Sequence, residues 1–236
     1  AEAQDYYLQA YGQSETARAY VEKRGIEPST RQGFQIGFAP ADWSALADRI
    51  QRRHPDLSEE FLMSSGLFLK RSKGGLMDRF RNRIMFPICD ARNRVIAFGG
   101  RILPDSQGGE AKYLNSPETE LFDKGRTLYP SHLVWADNGR GEQSHLPSDT
   151  VLVVEGYLDA IALYQAGFLH VLAPLGTGFT AEHVRLLEQH YRTVILLFDG
   201  DQAGKTATLK AVERMLQSSL IVKVVRLPEN QDPQDV

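Results

Sequence analysis

Apolar positions along the first 26 residues fall at helical spacing. Tyr6, Tyr7, Ala10, Tyr11, Ala17, Tyr20 and Val21 predict a helix over Glu2–Ile26, with Gly25 as its stop. Two further helices are predicted over Asp42–Ile50 and Ser58–Ser65. Asp42 and Ser58 would cap them, and Trp43, Leu46, Ile50, Phe61 and Leu62 would turn inward. From Arg83 the period shortens. Ile84–Ile88 and Val95–Phe98 are β-type runs joined by the turn Asp90-Ala91-Arg92-Asn93, and Gly99-Gly100 ends the second. Asp137–Asp149 is polar, with two glycines and a proline, and reads as a surface loop.

Beyond Asp149 strands and helices alternate. The apolar runs are Val151–Val154, Val171–Ala173, Val194–Phe198 and Leu220–Leu227. Between them lie helical stretches over Leu158–Ala166, Ala181–His190 and Gln202–Leu216. Strands that are apolar throughout, separated by helices, predict a parallel sheet covered on both faces, an open doubly wound arrangement with right-handed crossovers.

Ligands of such sheets bind at the carboxyl ends of the strands. Acids stand at three of those ends: Glu155, the pair Asp199 and Asp201, and Asp232. Asp159 follows Glu155 by one helical turn and can face the same way. Two carboxylates about 4 Å apart repel by about 4 kcal/mol at an effective dielectric near 20, and a bound divalent cation removes that repulsion. Oxygen ligands without His or Cys favour Mg²⁺ or Mn²⁺ over zinc. Each acid also has a purely structural use. Asp201 could cap the helix at Gln202, Asp159 could sit favourably near a helix start, and Asp199 could occupy an ordinary turn.

Composition narrows the classes. The single cysteine, Cys89, excludes an internal disulfide and a cysteine-rich zinc site, and points to a reducing compartment. No apolar run approaches the roughly 20 residues of a membrane span, and no signal peptide is visible, so the cytoplasm is expected. The net charge of −3 is unevenly spread, with nine basic residues against Asp78 and Asp90 between Lys70 and Arg101. That block can hold a polyanion while the acids hold metal, or can be a solvated basic face. Gly200–Thr206 superficially resembles a nucleotide-binding phosphate loop. However, only three residues separate its glycines, and Asp201 would aim negative charge into the cradle. Gly204 is instead expected to allow close helix–sheet packing, and Gly156 to relieve the backbone after Glu155. Leu175-Gly176-Thr177-Gly178 reads as a tight turn, with backbone contact to phosphate as the alternative.

Val154-Glu155-Gly156-Tyr157-Leu158-Asp159 and Phe198-Asp199-Gly200-Asp201 together resemble the two acidic signatures of the Toprim domain. Three further segments narrow the resemblance to bacterial replicative DNA primases. They are Arg79–Ile88, Phe98-Gly99-Gly100-Arg101, and Lys112–Thr119 with Phe122, Lys124, Gly125 and Tyr129. The likeness runs from about Tyr20 to the end of the chain.

The resemblance implies an α/β protein of two parts: a mixed α/β subdomain over 1–126 with a basic groove, then a Toprim subdomain over 127–236 with a mostly parallel sheet flanked by helices. An active-site cleft would lie between them. Glu155, Asp159, Asp199, Asp201 and Asp232 would hold two or more Mg²⁺ or Mn²⁺ ions, with Glu155, Asp199 and Asp201 catalytic. Arg24, Arg81, Arg83, Arg101, Lys112, Asn115 and Lys124 would guide the template strand or bind nucleotide phosphates. The implied activity is a DNA-directed RNA polymerase (a primase, of nucleotidyltransferase type) that makes RNA primers on single-stranded DNA from NTPs. It would act in the primosome at the bacterial replication fork, passing through an RNA primer–DNA hybrid. The core is expected to be monomeric and free of zinc and membrane. Replicative helicase and single-strand-binding protein would be engaged through domains not in this sequence, as would a zinc module. Where the family reads Asp-Pro-Asp, this chain reads Asp232-Pro233-Gln234-Asp235, so a neutral side chain replaces one outer acid. A Toprim nuclease or topoisomerase, or a non-catalytic recombination module, would share some of these acids.

Overall fold

The computed structural model describes residues 1–104, 111–136, 144–176, 178–229 and 231–233. Backbone contacts divide the chain into two units: Ala1–Ile88 with Arg94–Phe122, and Cys89–Asn93 with Asp123–Val236.

The first unit opens on α1 (Glu2–Gln13) and α2 (Glu15–Lys23), not on one continuous helix. Ser14 between them adopts an extended backbone, and its hydroxyl accepts the Ala17 N–H at 3.2 Å. A serine able to cap a new helix therefore outweighs continuous apolar spacing. Gly25 does end α2, at a φ of 71°. Then follow α3 (Pro28–Gly33), which the sequence reading lacked, β1 (Gly37–Ala39), α4 (Ala45–Arg53) and α5 (Glu59–Ser64). Helix α5 is capped by Ser58 as expected, through the Phe61 N–H. Helix α4 starts later than predicted, and Asp42 does not cap it. Its first N–H groups, those of Leu46 and Ala47, donate instead to the carboxylate of Asp78 at 2.9 and 3.0 Å. Trp43 and Phe61 do not turn inward, each being 61% exposed, whereas Leu46, Ile50 and Leu62 do.

Strands β2 (Phe68–Lys70) and β3 (Leu76–Asp78) pair antiparallel. Strands β4 (Arg83–Cys89), β5 (Val95–Ile102) and β6 (Tyr113–Asn115) join β1 in a sheet of order β1-β4-β5-β6. The glycine pair does not end β5, which runs on to Ile102. A Cβ at Gly100 would sit 3.0 Å from both Arg83 and Phe80, so this glycine makes room within a continuing strand. Tyr7, Leu46, Phe80, Met85 and Phe98 form the centre of this unit's core.

The second unit contains a 3₁₀ turn (Lys124–Arg126), β7 (Leu128–Tyr129), α6 (Ser131–Ala136) and β8 (Thr150–Val153). It continues with α7 (Tyr157–Gln165), β9 (Val171–Pro174), α8 (Ala181–His190), β10 (Thr193–Leu197), α9 (Gln202–Met215) and β11 (Ile221–Val225). The sheet order is β11-β10-β8-β9-β7, parallel apart from β7, which pairs antiparallel with β9. The predicted alternation is thus present element by element. Strand β11 departs from it by standing at the edge, with Ile221, Val224 and Val225 exposed. Of the expected loop over Asp137–Asp149, residues 137–143 lie outside the described residues, and the remainder has no helix or strand.

Candidate active site

Strands β8 and β10 are parallel neighbours, with Val153 opposite Leu196. Their crossovers leave in opposite directions. From β8 the chain passes through α7 to β9 on one side, and from β10 through α9 to β11 on the other. A reversal of this kind opens a crevice beyond the carboxyl ends of the two strands. Glu155 and Asp199 emerge there, and the Asp199 N–H donates to Glu155 Oε1 at 3.0 Å.

Burial pushes the Glu155 carboxyl above its ordinary value. The Asp199 N–H pulls it back, while the charges of Asp199, Asp159 and Asp201 push it up again. Four of the five predicted acids therefore share one electrostatic environment. The fifth arrives by a different route. The Gly200 N–H donates to the carbonyl of Gln231 at 2.9 Å, and a Cβ on Gly200 would lie 2.0 Å from the Pro228 oxygen. Only a glycine admits this passing chain, which delivers Asp232 beside the Asp199-Gly200-Asp201 turn. Gln234 and Asp235 lie outside the described residues.

Gly204 closes the site from below. A Cβ there would stand 2.2 Å from the Asp199 carbonyl oxygen and 2.9 Å from Glu155 Oε1, the close helix–sheet approach expected from the sequence. At Gly156, where φ is −140°, the backbone suits any residue. The constraint is space, since a Cβ would meet Asp159 Oδ2 at 3.1 Å. Asp201 is the N-cap of α9, its Oδ1 accepting the Gly204 N–H at 2.7 Å. The capping use foreseen for Asp201 is therefore real. Asp159 lies buried in the first turn of α7.

Among the described residues, no three His, Cys, Asp or Glu side chains are grouped so that they could hold a metal ion as they stand. Glu155 and Asp201 instead spend oxygens on backbone N–H groups. The donor set still suits a hard divalent cation, because it is all oxygen and carries mutual repulsion that such a cation would relieve. Within this unit a groove of about 1700 Å³ leads from Glu155 along α9, past Gln202, Thr206, Lys210 and Arg214.

The predicted basic residues divide between the units. Lys124 belongs to the second, in the 3₁₀ turn. The buried ring of His183 anchors that turn, its Nε2 facing the carbonyls of Lys124 and Thr127 at 3.0 and 3.2 Å. Nδ1 accepts the Thr180 N–H, so the proton resides on Nε2. Sequence reading gave His183 no role, and a histidine three residues after a capping threonine is its only signal. The remaining residues lie in the first unit. Arg81 stacks over the exposed ring of Trp43, 4.4 Å from its centroid. Arg83 is 3% exposed, and its Nη1 donates to the Ala111 carbonyl at 2.9 Å, a use inside the fold. Arg101 is opposite Tyr113 in the β5–β6 register, as Gly99 is opposite Asn115. The side chain of Lys112 is exposed, while its carbonyl accepts the Ile102 N–H. Arg24 ends α2 as its C-cap. Cys89 is buried, and burial lifts its thiol to about 11, so it is no nucleophile at neutral pH.

This switch-point acid site defines a Toprim-type unit, and the comparisons agree. Residues 152–236 match the family described as Toprim-like, and residues 6–134 match DNA primase catalytic core, N-terminal domain. The chain belongs to the DNA primase catalytic core family. It is 42% identical over 217 residues to a DNA primase of Legionella pneumophila, covering 91% of this chain and 35% of that protein. It is 40% identical over 233 residues to that of Escherichia coli, covering 97% and 38%. The chain therefore spans little more than a third of the length of these relatives. Among solved structures, a DnaG primase catalytic domain bound to single-stranded DNA superposes with a TM-score of 0.83 at 38% identity, covering 99% of this chain and 73% of that one. A DNA primase domain from Pseudomonas aeruginosa superposes with a TM-score of 0.85 at 38% identity, covering 99% and 71%. No helix among the described residues is long and apolar enough to cross a membrane.

Proposed function

We propose that this chain is the catalytic core of a DNA primase, joining ribonucleoside triphosphates on a single-stranded DNA template into a short RNA primer with release of pyrophosphate. The observation that carries the reading is the junction of Glu155 and Asp199 at the switch point of the sheet, with Asp159 and Asp201 acting on the same carboxyl. Polymer synthesis from triphosphates needs charge neutralisation more than covalent chemistry, and an oxygen-only acid cluster offers that through bound cations. When bound, Mg²⁺ or Mn²⁺ would neutralise the triphosphate and acidify the attacking 3′-hydroxyl.

In this reading Glu155, Asp159, Asp199, Asp201 and Asp232 hold the ions, two or more in number. The lifted carboxyl of Glu155 suits it to hold or pass a proton as well. Arg24, Arg81, Arg101, Lys112, Asn115 and Lys124 bind template and nucleotide phosphates, and Arg83, expected among them, supports the backbone at Ala111 from within the fold. Residues 1–126 thus supply mainly nucleic-acid contacts and residues 127–236 the metal site. Replicative helicase and single-strand-binding protein are partners of the longer protein, at the replication fork in the bacterial cytoplasm. That two solved relatives of the same family were captured with DNA, one single-stranded and one double-stranded with an overhang, supports the choice of template.

The test is primer synthesis on single-stranded DNA with labelled NTPs and Mg²⁺ or Mn²⁺, run beside Asp199→Asn. Metal-dependent RNA products that vanish in the variant are expected. DNA cleavage in place of synthesis would move the assignment to a Toprim nuclease.

A further inference from the structure

Arg101 is 8% exposed, yet no described ion pair includes it. A guanidinium taken from water without a carboxylate is costly, and aromatic faces offset only part of that cost. Two tyrosines supply those faces. Tyr113, opposite on β6, lies with its ring centroid 4.9 Å from the guanidinium carbon and accepts a short hydrogen bond from Nη1 on its hydroxyl. Tyr20, from α2, approaches the same guanidinium at 5.9 Å. The ring of Tyr20 also carries Arg24, one helical turn on, at 5.5 Å. One aromatic ring therefore serves two guanidiniums. The Tyr20 hydroxyl itself is buried without a hydrogen-bond partner. It is not kept for a hydrogen bond inside the fold, which leaves the ring as the working part.

We infer that Tyr20 is a positioning residue that holds Arg24 and Arg101 ready for phosphate. The inference rests on the reading above that these arginines bind phosphate. Two guanidiniums on one ring, neither in an ion pair among the described residues, suit phosphate oxygens. The phosphate belongs either to the template backbone or to the triphosphate of the incoming nucleotide.

The experiment measures, on the full chain, the dissociation constants of a labelled single-stranded oligonucleotide and of ATP with Mg²⁺, for wild type, Tyr20→Leu, Tyr20→Phe and Arg101→Ala. Tyr20→Leu is expected to weaken one ligand about five- to tenfold, the loss of cation–π support at a partly desolvated site. Tyr20→Phe, which keeps the ring, restores that affinity. Thermal unfolding midpoints of the two tyrosine variants should stay near wild type. The salt dependence of oligonucleotide binding should keep its slope in Tyr20→Leu, since no charge is lost, and flatten in Arg101→Ala. Weakened oligonucleotide binding identifies a template phosphate, and weakened ATP binding identifies the triphosphate. Wild-type affinity for both ligands in Tyr20→Leu, with Arg101→Ala impaired, overturns the role of Tyr20 alone. Unimpaired binding by Arg101→Ala overturns the phosphate reading beneath it. Equal loss in Tyr20→Phe and Tyr20→Leu overturns the ring as the working group.

Discussion

The backbone N–H of Asp199 donates to Oε1 of Glu155 at 3.0 Å, so the acid ending one central strand is held by the backbone ending its neighbour. This bond fixes the Glu155 side chain while leaving Asp199 able to act through its carboxylate. Substituting Asp199 by Asn keeps the backbone donor and removes the charge. Asp201→Asn likewise keeps a good helix cap. Both variants should fold with unfolding midpoints no lower than wild type and lose metal-dependent primer synthesis by a hundredfold or more, on the order of what charged transition-state groups contribute. Undiminished synthesis in both would remove these acids from the site.

Divalent metal should stabilise the chain. The folded state raises the Glu155 carboxyl above its unfolded value, so this group favours folding below its unfolded value and opposes it as pH rises through the folded one. At neutral pH the acids therefore strain the site, and cations relieve them. Adding millimolar Mg²⁺ or Mn²⁺ should raise the unfolding midpoint at pH 7.5. Glu155→Gln, whose amide oxygen still accepts the Asp199 N–H, should raise the metal-free midpoint and blunt the response to metal. Calorimetric scans with and without chelator decide this.

Two glycines of the second unit should resist substitution. A Cβ at Gly204 would meet the Asp199 oxygen at 2.2 Å, and one at Gly200 would meet the Pro228 oxygen at 2.0 Å, both backbone atoms that cannot swing aside. Gly204→Ala and Gly200→Ala should each cost about 1–3 kcal/mol or more. Gly12→Ala, near the end of α1 with nothing within 4 Å, should be neutral or stabilising by up to about 1 kcal/mol. Urea unfolding of the three variants makes the comparison.

Asp78 should matter to α4 although the two are distant in sequence. Its carboxylate takes the N–H groups of Leu46 and Ala47, and burial holds its carboxyl above the ordinary value despite those bonds. Asp78→Ala should cost about 1–2 kcal/mol, the scale of a lost helix cap. A urea midpoint equal to wild type would show the cap to be dispensable.

Acid should unfold the second unit through its histidines. Burial pushes His132 down from 6.5 to about 4, and lowers His183 as well. A histidine depressed in the folded state supports folding above its unfolded value. That support is lost as pH falls from 6.5 towards 4, because the unfolded chain takes up the proton first. For His132 the full loss is roughly 3 kcal/mol. Unfolding midpoints measured from pH 7 to 4 should fall, and the fall should be smaller in His132→Gln.

The sequence alone settled whatever depends on neighbours within a few residues. Apolar runs punctuated by helical stretches placed each element of the parallel sheet, because a strand buried on both faces must be apolar throughout; β11, though apolar, stands exposed at the edge. Acids at the ends of those strands followed directly, since the carboxyl edge is where such a sheet opens. Ser58 was legible as a cap for the same reason.

The tertiary structure decided what depends on segments meeting from afar. Asp78 displaced Asp42 as the cap of α4, because an orphan N–H donates to whichever oxygen the fold brings, whereas the break at Ser14 is a local cap that the apolar spacing masked. The need for glycine at Gly200 became visible only when the chain at Pro228 and Gln231 crossed it. The partnership of Tyr20 with Arg101 had the same origin. Its half on α2 could be read from the four-residue step to Arg24, but its half on β5 exists only because the fold brings Arg101 to that ring from far along the chain.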